Sequence, residues 1–350
     1  MGKSILANIK SINGPVLITG HTGFKGSWLI LLLEKLGIEW IGISLVPKPD
    51  SLYNLIAGRN NKNEYFADLR DYDSLKKIIT AINPKYVIHL AAQPLVLDSY
   101  SDPKETFSTN ILGTVNLLDI IYKYTSVIKV VVATTDKVYK ERKLKRNFRE
   151  YDALGGKDPY SWSKVGTEAA VGAWQQLSKT GNGPEIIAVR SGNVVGGGDM
   201  SQNRLLPDVV KGFIEGSSII VRNPSSTRPW QHVLDPLYGY LLAVRSDSKE
   251  KAFNFSPNTT SLTVKKVTKI ACREWQGPTN VIFSDKSDIL ETSSLSINSK
   301  KARKILKWRS IWSQEEAIIA TIDWWQKTNY SELSHKEACL LDIDKLLNEI

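Results

Sequence analysis

The chain has 350 residues, of which 42% are hydrophobic and 23% charged, which suits one large core or two lobes and excludes a disordered polymer. Lys and Arg number 46 against 36 Asp and Glu, a surplus that fits a nucleic acid, a membrane surface or an anionic small substrate. No apolar run nears the roughly 20 residues that cross a bilayer, no secretory pattern opens the chain, and the expected location is therefore the cytoplasm. Cys272, Cys339 and four scattered histidines form neither a disulfide framework nor a metal spacing.

Residues 15–21 read as a short buried strand, Val16, Leu17 and Ile18, running into a glycine-rich turn. Residues 28–36 follow as a helix stopped by Gly37. Strands are expected at 40–45 and 65–67. Leu75, Ile78, Ile79 and Ile82 fall at helical spacing and end before Pro84. A fourth strand covers 86–90. One long helix is expected over 103–124, with Phe107, Ile111, Val115, Leu118 and Tyr122 on one stripe. A strand at 130–133, a helix at 160–177 and a strand at 186–189 complete the alternation. Such alternation produces βαβ crossovers and a parallel sheet with helices on both faces.

The basic run 140–149 reads as a solvated loop. After about residue 190, Gly, Pro, Ser and Asn-rich loops break the rhythm. Residues 1–190 are expected to form the first domain, and 191–350 a smaller lobe interleaved with it. In that lobe Ser313-Gln314-Glu315-Glu316 is a capping box opening a helix through Trp325.

Three motifs carry chemistry. Gly20-His21-Thr22-Gly23-Phe24-Lys25-Gly26 lies between strand and helix, where glycines let backbone N–H groups approach a pyrophosphate. The fold class is thus a Rossmann-type doubly wound parallel sheet with a smaller C-terminal substrate lobe. The second strand ends at Ser44, where an acidic residue would mark NAD, so spacing leaves NAD and NADP open. Asp68 ends the third strand as an adenine contact or a helix cap. Tyr160-Ser161-Trp162-Ser163-Lys164 puts a phenol and an ammonium on one helical face; the ammonium and an oxidised nicotinamide would lower the phenol pKa, so that it can take a hydroxyl proton. Thr135-Asp136-Lys137 follows the fifth strand and offers a hydroxyl, an acid and an amine base, or simply a capped turn.

Together these stretches resemble the extended short-chain dehydrogenase/reductase family, and within it the branch of 4,6-dehydratases acting on CDP-glucose. The resemblance extends over Ala91-Ala92-Gln93-Pro94-Leu95-Val96, Ser108-Thr109-Asn110, Gly192-Asn193-Val194, Gly196-Gly197-Gly198-Asp199, Arg204-Leu205 and Arg228-Pro229-Trp230-Gln231-His232, and reaches about Trp325. Thr135, Val138, Trp162 and Leu97-Asp98 depart from the usual residues of that branch. The resemblance implies a lyase that makes a 4-keto-6-deoxy sugar nucleotide for deoxysugars of surface polysaccharide such as O-antigen. It implies Thr135, Asp136, Lys137, Tyr160 and Lys164 as reacting groups. It implies NAD held by Gly20, Thr22, Gly23, Phe24, Lys25, Gly26, Ser44, Asp68, Leu69, Leu90, Ala91, Ala92, Gln93 and Thr109, together with Tyr160 and Lys164. It implies the sugar nucleotide, CDP-glucose or a relative, held by Asn193, Arg204, Leu205, Arg228 and His232. It also implies a homodimer through the helices at 103–124 and 160–177. A sugar-nucleotide 4-epimerase and a non-catalytic NAD-binding scaffold are the rival readings; the sequence contains no nucleic-acid recognition module.

Overall fold

A computed structural model of the chain describes residues 2–56, 63–141, 146–285 and 296–350. Part of the basic run 140–149, residues 142–145, lies outside them. Seven strands form the central sheet: β1 (Val16–Thr19), β2 (Trp40–Ser44), β3 (Glu64–Phe66), β4 (Tyr86–His89), β5 (Lys129–Ala133), β6 (Glu185–Ser191) and β7 (Ala252–Phe255). Their order is β3-β2-β1-β4-β5-β6-β7, and every pair is parallel. The alternation of strands and helices over 15–189 is as the sequence predicts, with ends shifted by a few residues. Strand β7 comes from beyond residue 190 and pairs with β6, so the C-terminal segment re-enters the sheet and builds its last edge.

Chain order reverses between β1 and β4. From β1 the chain moves outward to β2 and β3, then returns to β4 on the other side of β1. The crevice beyond the carboxyl ends of these strands is where open α/β sheets receive ligands. Thr19 and His89, the last residues of the two strands, are register partners there.

The helix Phe24–Leu36 starts directly at the glycine turn, earlier than expected, and stops at Gly37 in the left-handed conformation with φ 70°. Trp28 to Leu33 are at most 3% exposed. A helix apolar all round must be covered all round, and here the sheet, the helix Leu234–Arg245 and the C-terminal helix His335–Glu349 surround it. The capping box at Ser313 and Glu316 opens the helix Gln314–Asn329. Trp324 of this helix lies against the loop 196–199: a Cβ on Gly197 would sit 1.9 Å from its ring, while the Trp28 indole donates to the Gly197 carbonyl at 3.1 Å. Among the described residues no helix is long and apolar enough to cross a membrane.

The single helix expected over 103–124 is three pieces: Pro103–Phe107, a wider π turn at Ser108–Leu112, and Gly113–Tyr124. The hydroxyls of Thr114 and Thr167 both donate to the Asn110 carbonyl, at 2.7 and 2.8 Å. Outside donors that claim a helix carbonyl open the turn around it. The extra residue shifts the helical phase. Phe107, expected on the buried stripe, is 39% exposed; Leu118, also expected there, is buried, and so are Leu117, Ile120 and Ile121.

Gly197→Ala is expected to lower stability by about 1–3 kcal/mol, the usual cost of overpacking a rigid contact, seen as a lower Tm and midpoint in urea.

Candidate active site

The cradle is built by close backbone approach. Gly20 has φ 77°, and a Cβ there would lie 2.7 Å from the Ala91 backbone and 3.1 Å from that of Leu90. A Cβ on Gly26 would fall 2.2 Å from the Gly20 carbonyl oxygen. Only glycine tolerates both demands. Gly23 is the N-cap of the following helix and brings no capping side chain, so the first amides remain free for an anion. Thr22 and Ser44 are hydrogen-bonded through their hydroxyls at 2.6 Å, which joins the turn to the end of β2. His21, inside the turn, is fully buried, and burial lowers its pKa to about 4.

Other expected cofactor residues surround this turn. Leu69 packs against Gly113. Ala92 is half-buried, and the Gln93 amide donates to Asn110 at 2.8 Å. Asp68 does not cap the next helix; Asp71 does. The Asp68 carboxylate is taken by Arg70 at 2.6 Å, and this ion pair holds its pKa below the usual range. Thr109 stands in the π turn with its hydroxyl on Glu105 at 3.4 Å.

The reacting groups stand beyond β5. Thr135 caps a single 3₁₀ turn, Asp136–Val138, by accepting from the Lys137 amide at 3.3 Å. Its hydroxyl donates to Asp136 Oδ1 at 3.2 Å and favours the ionised form of the Tyr160 phenol. Asp136 Oδ2 is buried and has no hydrogen-bond partner among the described residues. Gly192 leaves it room, since a Cβ there would lie 3.0 Å from Oδ2. Burial raises the Asp136 pKa to about 6, against the pull of Lys137, Thr135 and Arg228. Lys137 is half-buried, and its ammonium makes no hydrogen bond or ion pair with another described residue.

Tyr160 and Lys164 open the helix Pro159–Gly181, which Asp158 and Ser161 cap reciprocally. Lys164 donates to the Ala133 carbonyl at 3.2 Å, at the end of β5. Burial, with Lys25 nearby, lowers its pKa to about 8. Burial raises the Tyr160 pKa to about 12, and Thr135 and Arg204 only partly offset that; the lowering expected from an ammonium and an oxidised nicotinamide would act against this burial. His89, under the same site, is neutral, its pKa driven to about 3 by burial and by Lys164.

Of the expected nucleotide residues, the structure brings two arginines toward the reacting groups: Arg204 bears electrostatically on Tyr160, and Arg228 on Asp136. Arg204 is the N-cap of the helix Leu205–Glu215 and pairs with Asp199 at 3.5 Å. Leu205 begins that helix, and the half-buried Asn193 accepts from the Gln231 amide at 3.0 Å. His232 is a correction. It is fully buried, stacked on Trp312 at 4.3 Å, edge-on to Trp28 at 5.7 Å and 3.3 Å from Asp342. Its ring is enclosed by core side chains and is not presented to a nucleotide.

Lys25 is the residue whose place spacing alone misjudges. From the glycine turn its side chain crosses the crevice, and its ammonium donates to Ser191 Oγ at 3.0 Å and to the Tyr240 hydroxyl at 3.3 Å. Burial and Arg204 lower its pKa to about 7, while Asp136 raises it. It therefore faces the reacting groups. Glu168 and Arg190 also escaped the motif reading. Glu168 had one available signal, its place four residues after Lys164 on the same helical face; Arg190 had none.

Residues 17–333 match the family model described as GDP-mannose 4,6 dehydratase. The chain is 36% identical over 321 residues to the CDP-glucose 4,6-dehydratase of Salmonella typhimurium, covering 88% of this chain and 89% of that protein. The chain belongs to the GDP-mannose 4,6 dehydratase family. The fold of this dehydratase family recurs in solved structures. The epimerase Mth375 of Methanothermobacter thermautotrophicus aligns with TM-score 0.81 at 22% identity, over 94% of this chain and 96% of that one. The dTDP-glucose 4,6-dehydratase DesIV of Streptomyces venezuelae, solved with NAD, aligns with TM-score 0.77 at 20% identity, over 91% and 98%.

A carboxyl titrating near pH 6 is expected in the carbon-13 NMR spectrum of protein labelled at Asp side chains, and it disappears in Asp136→Asn. Titration of every carboxyl below pH 5 would contradict the burial argument.

Proposed function

We propose that the protein converts CDP-glucose to CDP-4-keto-6-deoxyglucose and water. The observation that carries this reading is the turn after β5, where a buried carboxyl with its pKa raised to about 6, and with one oxygen that makes no hydrogen bond among the described residues, stands next to the half-buried amine of Lys137. A carboxyl whose pKa burial raises to about 6 holds a proton it can donate near and below that pH, and an amine beside it can accept one when deprotonated. Elimination of water needs both groups, whereas 4-epimerisation needs neither. The 36% identical relative bearing this activity in its name supports the same reading.

The cradle fits a dinucleotide: its glycines exclude side chains from the turn, and the uncapped helix start offers amides to a pyrophosphate. Gly20, Gly23, Gly26, Thr22 and Ser44 would hold NAD, with Phe24, Asp68, Leu69, Leu90, Ala91, Ala92, Gln93 and Thr109 around it. When bound, NAD supplies hydride chemistry, taking hydride from C4 of the sugar and giving it back at C6.

The protein's own groups move the protons. Tyr160 takes the C4 hydroxyl proton as the C4–H bond breaks, with Lys164 stabilising the phenolate and Thr135 bonding the C4 oxygen. The C4 ketone makes the C5 proton acidic. Lys137 takes that proton, Asp136 gives its own to the C6 hydroxyl, and water leaves. Lys137 then returns a proton to C5. Burial of Asp136, Tyr160 and Lys164 shields these steps from solvent. Arg204, Arg228 and Lys25 surround the site with positive charge suited to a diphosphate; Asn193 and Leu205 would flank the nucleotide. A homodimer through the segments 103–124 and 160–177 accords with the exposed Phe107, Leu112, Trp162 and Leu177 within them.

Incubation with CDP-, dTDP-, GDP- and UDP-glucose is expected to yield the alkali-absorbing 4-keto product best from CDP-glucose. An epimerase would yield none. Asp136→Asn and Lys137→Met are each expected to lower kcat by roughly 10²–10⁴-fold, the usual worth of a positioned acid or base, with NAD content unchanged. Asp136 donates only when protonated, so its active fraction falls as pH rises through about 6; kcat should show an alkaline limb beginning there.

A further inference from the structure

We propose that the buried Glu168–Arg190 pair is a positioning device that sets the acid and base of the turn after β5 against the helix of Tyr160 and Lys164. This inference rests on the dehydratase reading and extends it to residues that touch no substrate.

The pair is bidentate. Arg190 Nε donates to Glu168 Oε1 at 2.7 Å, and Nη2 donates to Oε2 at 2.8 Å. Both side chains are at most 5% exposed, so the guanidinium and carboxylate have little but each other and their hydrogen bonds for solvation. The reacting turn is tied to this pair at both ends. Before it, Thr134 Oγ1 donates to Glu168 Oε1 at 2.6 Å. After it, the Tyr139 hydroxyl accepts from Arg190 Nη1 at 2.9 Å and donates to Asn254 Oδ1 at 2.7 Å, while the Arg190 guanidinium lies 5.1 Å from the Tyr139 ring centre. Thr135, Asp136, Lys137 and Val138 are the residues between the two anchors.

Each anchor lands on a different element. Glu168 is one helical turn beyond Lys164 on the helix that also carries Tyr160. Arg190 is on β6 and Asn254 on β7. The pair therefore fixes the distance between two groups of reacting residues, adding to the Lys164 bond to the Ala133 carbonyl a tie between Thr134 and Glu168, 34 positions apart. C4 oxidation depends chiefly on Tyr160 and Lys164, which stay on their helix whatever the turn does, and takes only the Thr135 hydroxyl from the turn. Water loss depends on the turn. Loosening the anchors should slow the second step more than the first.

The test uses the NAD-loaded protein with CDP-glucose, reading kcat, KM and the fraction of bound nicotinamide that is reduced during turnover. Thr134→Val removes one hydroxyl at nearly constant shape. It is expected to lower kcat roughly 10–100-fold, the scale of a small misplacement of reacting groups, with KM unchanged and reduced nicotinamide accumulating, because sugar oxidised at C4 waits for elimination. Thr134→Ser keeps the hydroxyl and is expected to behave as the parent protein. Arg190→Lys keeps the charge but loses the fork, and should repeat the signature of Thr134→Val. The inference is overturned if Thr134→Val keeps the parent kcat, if its kcat falls while the cofactor stays oxidised, or if Thr134→Ser shares the defect. If the parent protein yields no 4-keto product from CDP-glucose, the dehydratase reading itself fails and the inference falls with it.

Discussion

Exclusion of water at the carboxyl edge of the parallel sheet governs this protein's chemistry. Asp136, Tyr160 and Lys164 are buried there and Lys25 is half-buried, and in each case loss of water is the largest influence on the proton affinity. Desolvation moves acids and bases in opposite directions. It raises Asp136 to about 6 and lowers Lys25 and Lys164 to about 7 and 8. An acid that can hold its proton and lysines that can lose theirs are thus brought into the same range without direct ion pairing between them. The protein's own burial holds the Tyr160 pKa high, which leaves its activation to the charges of a bound cofactor and of Lys164.

The rest of the architecture keeps that edge closed. The helix beginning at Phe24 is buried on every side because the C-terminal helices cover the face turned away from the sheet. Trp324 and Trp28 hold the loop 196–199, which leads to Asp199 and Arg204. The return of the chain to form β7 covers β6 and supplies Asn254 to the network around Arg190. A buried ion pair gives little net stability over apolar residues of the same volume; its use here is geometric, since it joins β6, the Tyr160 helix and the turn between them.

Much of this was legible beforehand, for local reasons. The glycine turn, the Tyr-x-x-x-Lys helix and the Ser313 capping box depend on neighbours within about four residues, and each forms where the spacing placed it. The π turn was not legible, because the donors that open it include Thr167, on a separate helix. His232 looked like a nucleotide contact because it sits in a run with Arg228 and Trp230; it is a core residue because Trp312 and Asp342, from about 80 and 110 positions later, enclose it. Lys25 appeared to belong to the turn that carries it, yet its long side chain reaches partners at Ser191 and Tyr240.

Taken alone, the amino-acid order determined which segments become strands and helices, where the phosphate-binding turn lies, and which side chains have reactive chemistry. Those properties follow from backbone preference and periodicity, which act over one or two helical turns or a single strand. Tertiary structure decided which reactive groups lose water, which arginines come near Asp136 and Tyr160, and which histidine disappears into the core. Desolvation is set by segments far away in the chain, and no short window of sequence contains them.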